Sequence, residues 1–244
     1  MRPAPPALLD RPVAHRGLWR PGGPPENTLA AFAAARAAGY GVELDVQLTA
    51  DGGAVVFHDP DLKRMTGRRG AVRDLQANEL TRLRLAGSDQ TIPTLEAGLR
   101  TLGETPVFVE LKTPTGEEGP LERAVARALA DHRGPVMVIS FNPFALAEFR
   151  RLAPRVPRGL SGAAHVDFGA ALATPDPDRP FQPDHMSLVA PSALIVGKGL
   201  LADRRIRALR AGGLPVVGWT LRTPAERTAA APLADALMVE GAAA

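Results

Sequence analysis

The chain has 244 residues, 45% apolar and 23% charged, a balance that supports a water-soluble globular protein with a full core. It contains no cysteine, which excludes disulfides and thiolate metal sites, and no run of about 18 consecutive apolar residues, so no stable membrane insertion is expected. The net charge of +3 comes from arginines in interrupted stretches such as GRRG and DRRIR, with only eight Phe, two Trp and one Tyr available to stack bases, so no nucleic-acid partner is expected.

The N-terminal MRPAPPALLDRPVAHRG lacks the apolar segment and small-residue cleavage site of a secretory signal, and a cytoplasmic location is expected. The first strand-like run is PVAHRG (residues 12–17). The helical pattern NTLAAFAAARAAG follows, with Asn27 or Thr28 as N-cap and Gly39 ending it. GVELDVQLT (41–49) reads as the second strand. Residues 50–93 then form an excursion: ADGGAVVFHDP reads as a hairpin arm, and DLKRMTGRRGAVRDLQANELTRL follows it. It is unusually long for a strand-to-helix connection, and long loops in compact domains are usually functional.

TPVFVELK (105–112) and PVMVIS (135–140) are the third and fourth strands. The helix NPFALAEFRRLA follows, where Asn142 can cap and Pro143 takes the first turn. RGLSG (158–162) and SLVAP (187–191) are read as the fifth and sixth strands. Residues 163–186 between them are rich in Pro and Asp, so the fifth helix is expected to be weak or replaced by a loop. The helix LADRRIRALRAGG ends at Gly212 and Gly213, and PVVGWT (215–220) and DALMVE (235–240) complete eight strands. Eight strands alternating with helices predict a single (β/α)8 TIM barrel spanning residues 1–244 as one domain. The last helix is expected to be absent, because GAAA follows the eighth strand directly. A doubly wound open sheet is the rival, since periodicity does not report closure.

In a barrel the active site forms at the C-terminal strand ends, and the polar residues inside the predicted strands fall there. His15 and Arg16 end the first strand, Glu43 and Asp45 lie in the second, Glu110 and Lys112 end the third, and Trp219 ends the seventh. His58 follows in the excursion. Two residues apart in a strand, Glu43 and Asp45 share one face at roughly 6.6 Å spacing, and Glu110 and Lys112 repeat the relation. Three converging carboxylates repel one another unless a cation lies among them. Oxygen donors without Cys or a close His pair suit one divalent cation, Mg2+ or Ca2+, better than Zn2+. A salt-bridge network with Arg16 and Lys112 satisfies the same spacing equally well. Two histidines on that side of the barrel can serve as base and acid in one displacement. Arg16 and Lys112 would complete a positive pocket suited to a phosphate. His132, His165 and His185 are read as surface residues in a helix end and in loops.

The segments VAHRG, PPENTLAAF, GVELDVQLTADGGAVVFHDPDLKRMTG, IPTLEAGL and VFVELK, dense over residues 12–112, together resemble the glycerophosphodiester phosphodiesterase family. SFNP (140–143), GWT (218–220) and the final strand match it more loosely. The resemblance implies a barrel and metal-dependent cleavage of a small glycerophosphodiester to glycerol 3-phosphate and an alcohol. It also implies that His15 and His58 are the general acid/base pair, that Glu43, Asp45 and Glu110 hold the metal, and that Arg16 and Lys112 contact the phosphate. Phe141 and Trp219 are candidates to wall the substrate pocket, or are core. Glu26 is read first as an acid placed by the helix dipole and otherwise as a partner supporting the site, and Asp59 either orients His58 or begins the turn before Pro60. The last strand departs from the family pattern, with Glu240 where an Asp is usual. Two other functions fit the motifs: a lysophospholipase D-like enzyme, whose apolar groove could draw only on Leu18, Trp19 and Phe141, and a non-catalytic phosphodiester-binding barrel.

Overall fold

The computed structural model describes residues 4, 6–85, 87–164 and 181–241. Eight parallel strands close a barrel in the order β1 (Val13–Ala14), β2 (Gly41–Leu48), β4 (Val107–Leu111), β5 (Val136–Ser140), β6 (Arg158–Gly162), β7 (Ala193–Gly197), β8 (Val216–Leu221) and β9 (Ala236–Val239). Closure comes from β1, which pairs with β2 on one side and β9 on the other. The remaining strand, β3 (Ala54–Val56), runs antiparallel to β2 as an arm beyond the barrel wall. Helices α1 (Leu29–Ala37), α4 (Leu95–Leu102), α5 (Pro120–Leu129), α6 (Pro143–Leu152), α7 (Pro183–Val189), α8 (Arg204–Ala211) and α9 (Pro224–Ala230) lie between successive barrel strands, and the short α2 (Lys63–Thr66) and α3 (Ala77–Leu80) lie in the excursion. The fold is therefore the expected TIM barrel rather than an open sheet.

The register sorts the side chains. Val13, Phe108, Met137, Ile139, Ile195 and Met238 point inward and pack on one another, and Leu8 joins this interior cluster from the preceding segment. Glu43 pairs with Phe108 and Asp45 with Glu110 in the β2–β4 register, so all three acids share this inward face. The alternate residues, such as Val42, Leu44, Val109 and Val138, face outward and pack under the helices. Gly159 is required by the interior: a Cβ there would meet Ile195 Cγ1 at 2.9 Å and Ile139 Cγ2 at 3.0 Å. Local signals hold where they were read. Thr28, not Asn27, caps α1 by accepting from the Ala31 N–H, and Asn142 caps α6 with Pro143 in its first turn.

Two expectations are corrected. The sixth barrel strand is not SLVAP (187–191) but Ala193–Gly197, every residue of which is buried. Residues 187–189 close α7, where Leu188 is exposed while Val189 is buried, the one-sided burial of a surface helix. His185 lies in α7, not in a loop, edge-on to Phe144. Where a weak helix or a loop was expected between the fifth and sixth strands, the described residues hold this short α7. His165, most of residues 163–186 and the last three residues lie outside the described residues. No helix among the described residues is long and apolar enough to cross a membrane.

Candidate active site

The acids are set by the strands. Glu43, Asp45 and Glu110 are all buried and offer oxygen atoms within 4.8 Å of one another. Arg16 turns back over them with φ of 60°, which aims its backbone N–H at Glu43 Oε2, 2.9 Å away. Asn27 is also left-handed, with φ of 56°, and its amide grips Asp45: Nδ2 donates to Oδ2 at 2.8 Å, and Oδ1 accepts from the Asp45 N–H at 3.3 Å. Lys112 Nζ lies 2.9 Å from Glu110 and 3.2 Å from Asp45, and Arg16 Nε lies 3.4 Å from Asp45.

Two cations thus face three acids, and the imbalance falls on Glu43. Burial, reinforced by Asp45 and Glu110, pushes its pKa well up. Burial also pushes on Asp45, but Lys112 and Arg16 override it and hold that carboxyl far below the usual range. Lys112, half-buried, is held above its ordinary value by Glu110 and Asp45 against the opposing push of desolvation. Glu43 Oε1 has no hydrogen-bond partner, and Asp45 Oδ1 has only the Lys112 ammonium, 3.2 Å away. A buried carboxylate oxygen without a donor, clustered with two further acids, fits a hard divalent cation. The salt-bridge reading is half realised, since Lys112 and Arg16 partner Asp45 and Glu110 but leave one Glu43 oxygen unserved.

The histidines flank this cluster from different elements. His15 follows β1, is buried, and places Nε2 3.8 Å from Glu43 and Nδ1 3.5 Å from Glu240. Burial pulls its pKa down against the opposing pull of Glu240. Glu240 is held in turn by Arg222 at 2.7 Å. His58 follows β3, with Nδ1 2.7 Å from Asp59. Its loop is pinned by Gln47, whose side-chain amide donates to the carbonyls of Phe57, His58 and Asp59. Each histidine therefore turns Nδ1 toward a carboxylate, and for His58 the hydrogen bond to Asp59 fixes the ring and leaves Nε2 for exchange. Phe141 and Trp219 meet edge to face with centroids 5.4 Å apart, and the indole N–H donates to the Ile195 carbonyl at 3.2 Å.

With this geometry in place, similarity to known proteins is informative. The model of the glycerophosphoryl diester phosphodiesterase family matches residues 15–242. The chain belongs to this family. A glycerophosphodiester phosphodiesterase from Caldanaerobacter subterraneus is 34% identical over 163 residues, 61% of this chain and 65% of that protein; the aligned part thus spans just under two thirds of that relative. An Oleispira antarctica phosphodiesterase, solved with its product sn-glycerol-3-phosphate, superposes with a TM-score of 0.83 at 26% identity over 96% of this chain and 94% of that one. A glycerophosphodiester phosphodiesterase from Thermotoga maritima gives a TM-score of 0.72 at 26% identity, covering 93% of each chain.

On this glycerophosphodiester phosphodiesterase-family barrel, His15, Arg16, Glu43, Asp45, Glu110 and Lys112 come together in one buried cluster at the β1, β2 and β4 ends. His58 is carried toward it by the arm, and Phe141, just after β5, stands as a pair with Trp219 on β8. Asp59 takes the orienting position on His58. Glu26, two residues before the Thr28 cap of α1, is buried and paired with Arg16 at 3.0 Å and Arg64 at 2.6 Å, so it is also a partner of the site. Sequence reasoning missed Asn27 as a partner of Asp45, and it missed Gln47, Arg64 and Arg222. The signal for Gln47 was its spacing of two from Asp45, which puts it on the inward face; Arg64 and Arg222 carry no local signal.

Proposed function

We propose that the protein hydrolyses glycerophosphodiesters to glycerol 3-phosphate and an alcohol with one divalent cation, Mg2+ or Ca2+, held by Glu43, Asp45 and Glu110. The observation that carries this reading is the meeting of three buried carboxylates, one Glu43 oxygen among them without a donor, with His15 facing Glu240 and His58 held through Nδ1 by Asp59. When bound, the cation supplies Lewis-acid charge to the phosphoryl oxygens. Arg16 and Lys112 add positive charge where negative charge builds on phosphorus, and Phe141 and Trp219 wall the substrate. One histidine accepts the proton of the attacking oxygen, and the other gives a proton to the alcohol oxygen as its bond to phosphorus breaks; water supplies the new P–O bond of glycerol 3-phosphate, either in that step or by opening a cyclic phosphate first formed by the substrate's own hydroxyl. The likeness to a phosphodiesterase holding sn-glycerol-3-phosphate supports a small-molecule substrate. We read the barrel as a single catalytic domain acting in the cytoplasm.

A lipid substrate is less well supported, because Leu18 packs against the barrel's outer core instead of lining a groove. The test is release of glycerol 3-phosphate from a panel of glycerophosphodiesters, with and without EDTA. Activity that needs a divalent cation and is lost in His15→Ala is expected. Full activity in EDTA or in that variant overturns the mechanism, and turnover confined to long-chain lysolipids overturns the substrate class.

A further inference from the structure

Residues 50–93 do more than join β2 to α4, because they carry a hydrophobic cluster of their own, including Phe57, Leu62, Val72, Leu80, Leu85 and Ile92. Ordering a connection of this length costs about 1–2 kcal/mol of backbone entropy per residue, which a simple linker would not incur. The helix α2 sits on this cluster through the fully buried Leu62 that precedes it, and it presents Arg64 toward the barrel mouth.

The Arg64 side chain is 47% exposed, yet its guanidinium is committed on two sides. Nε and Nη2 lie 2.5 and 2.9 Å from the two oxygens of Asp59. Nη2 and Nη1 lie 2.6 and 3.2 Å from the two oxygens of Glu26. Each of these acids also holds a group of the site: Asp59 Oδ1 holds His58 Nδ1 at 2.7 Å, and Glu26 Oε1 accepts from Arg16 Nη1 at 3.0 Å. Only a planar fork serves two carboxylates in this way; a lysine ammonium would be a single point of attachment.

We propose that Arg64 is a positioning residue that fixes the His58 ring through Asp59 and the Arg16 guanidinium through Glu26, setting the proton carrier and the phosphate-binding cation at one separation. This inference rests on the phosphodiesterase reading above. Arg64 touches no reacting atom, and half-exposed ion pairs contribute little to global stability. Its loss should therefore appear in turnover rather than in folding, because small misplacements of catalytic groups cost up to about 100-fold.

The experiment compares steady-state glycerol 3-phosphate release and thermal unfolding for the wild type, Arg64→Gln, Arg64→Lys, Asp59→Asn and the Asp59→Asn/Arg64→Gln double variant. Arg64→Gln is expected to lower kcat about 10- to 100-fold and raise KM with Tm within about 2 °C of wild type. Asp59→Asn should lower kcat alone, Arg64→Lys should recover part of the loss, and the double variant should lose less than the product of the single effects. A second arm reads the His58 Nδ1 proton by NMR in the cation-free, substrate-free protein, assigned with His58→Gln. A slowly exchanging downfield proton in wild type, lost in Arg64→Gln, supports the proposal without reference to activity. Turnover of Arg64→Gln within twofold of wild type, or an unchanged His58 proton, overturns it. If Arg64→Gln does not fold, Arg64→Lys is judged by the same two criteria. A wild type without phosphodiesterase activity overturns the function reading instead, and the NMR arm still decides what Arg64 holds.

Discussion

Replacing Glu43 by glutamine separates a cation site from a salt-bridge network. Glu43 is fully buried, accepts one N–H from Arg16, and has one oxygen without a donor. Glutamine keeps its size and shape and removes one of three anionic donors. A cation at 100 times its Kd stabilises the folded state by about 2.7 kcal/mol, which for a chain of this length raises Tm by about 5–10 °C. If the lost carboxylate weakens binding about 100-fold, cation and Kd become equal, and the stabilisation falls to about 0.4 kcal/mol, or roughly 1 °C. The assay is thermal unfolding of wild type and Glu43→Gln in EDTA and across a Mg2+ or Ca2+ titration. In EDTA the variant should be at least as stable as wild type, because burial already drives Glu43 toward its neutral form. A wild-type cation response in Glu43→Gln would refute the ligand assignment and leave the salt-bridge network as the account of these acids.

His58→Asn should lower kcat by about 10²–10⁴-fold with little change in Tm, since the ring is held from outside the barrel core; kcat near wild type would remove His58 from proton transfer. Phe108→Ala, in the barrel interior, should cost about 3–5 kcal/mol in denaturant unfolding; a loss under about 1 kcal/mol would contradict a filled interior. Glu226→Gln keeps an acceptor in the capping box of α9 but removes the charge that faces Lys198 and the first helical turn, and should cost about 0.5–1 kcal/mol at neutral pH. Hydrogen bonds from Lys198 and the Arg222 and Thr223 N–H groups lower the Glu226 pKa to about 2. Because the folded value is depressed, that stability is present above the ordinary Glu value and is lost as pH falls toward about 2. Urea titrations from pH 7 to pH 3 should show the two proteins converging, and a constant difference would refute the shift.

The barrel was legible because parallel strands buried on both faces read as continuous apolar runs punctuated by helices with clear caps. The failure at the sixth strand has the same origin. SLVAP and ALIVG lie six residues apart, both apolar, and only the helical phase of Leu188 and Val189 separates them. The acids and histidines were legible because charged residues in apolar strands are costly without a partner. What holds them was not. Asn27 grips Asp45 across 18 residues, Arg64 reaches Glu26 across 38, and Arg222 meets Glu240 at the far end of the chain from His15. Such contacts are set by three-dimensional proximity, and periodicity along one chain carries no trace of it.

The acid cradle lies within one hydrogen-bonded strand pair, with Asp45 directly opposite Glu110, whereas His58 depends on the arm, Gln47 and Arg64. The two halves of the site therefore belong to units that can open separately. Amide exchange should be slowest at β2 and β4 and faster across residues 57–66. On the proposed mechanism, a molecule with that segment transiently lifted would keep the acid cradle intact while losing one of its two proton carriers, so cation affinity and turnover would respond separately to local opening of the excursion.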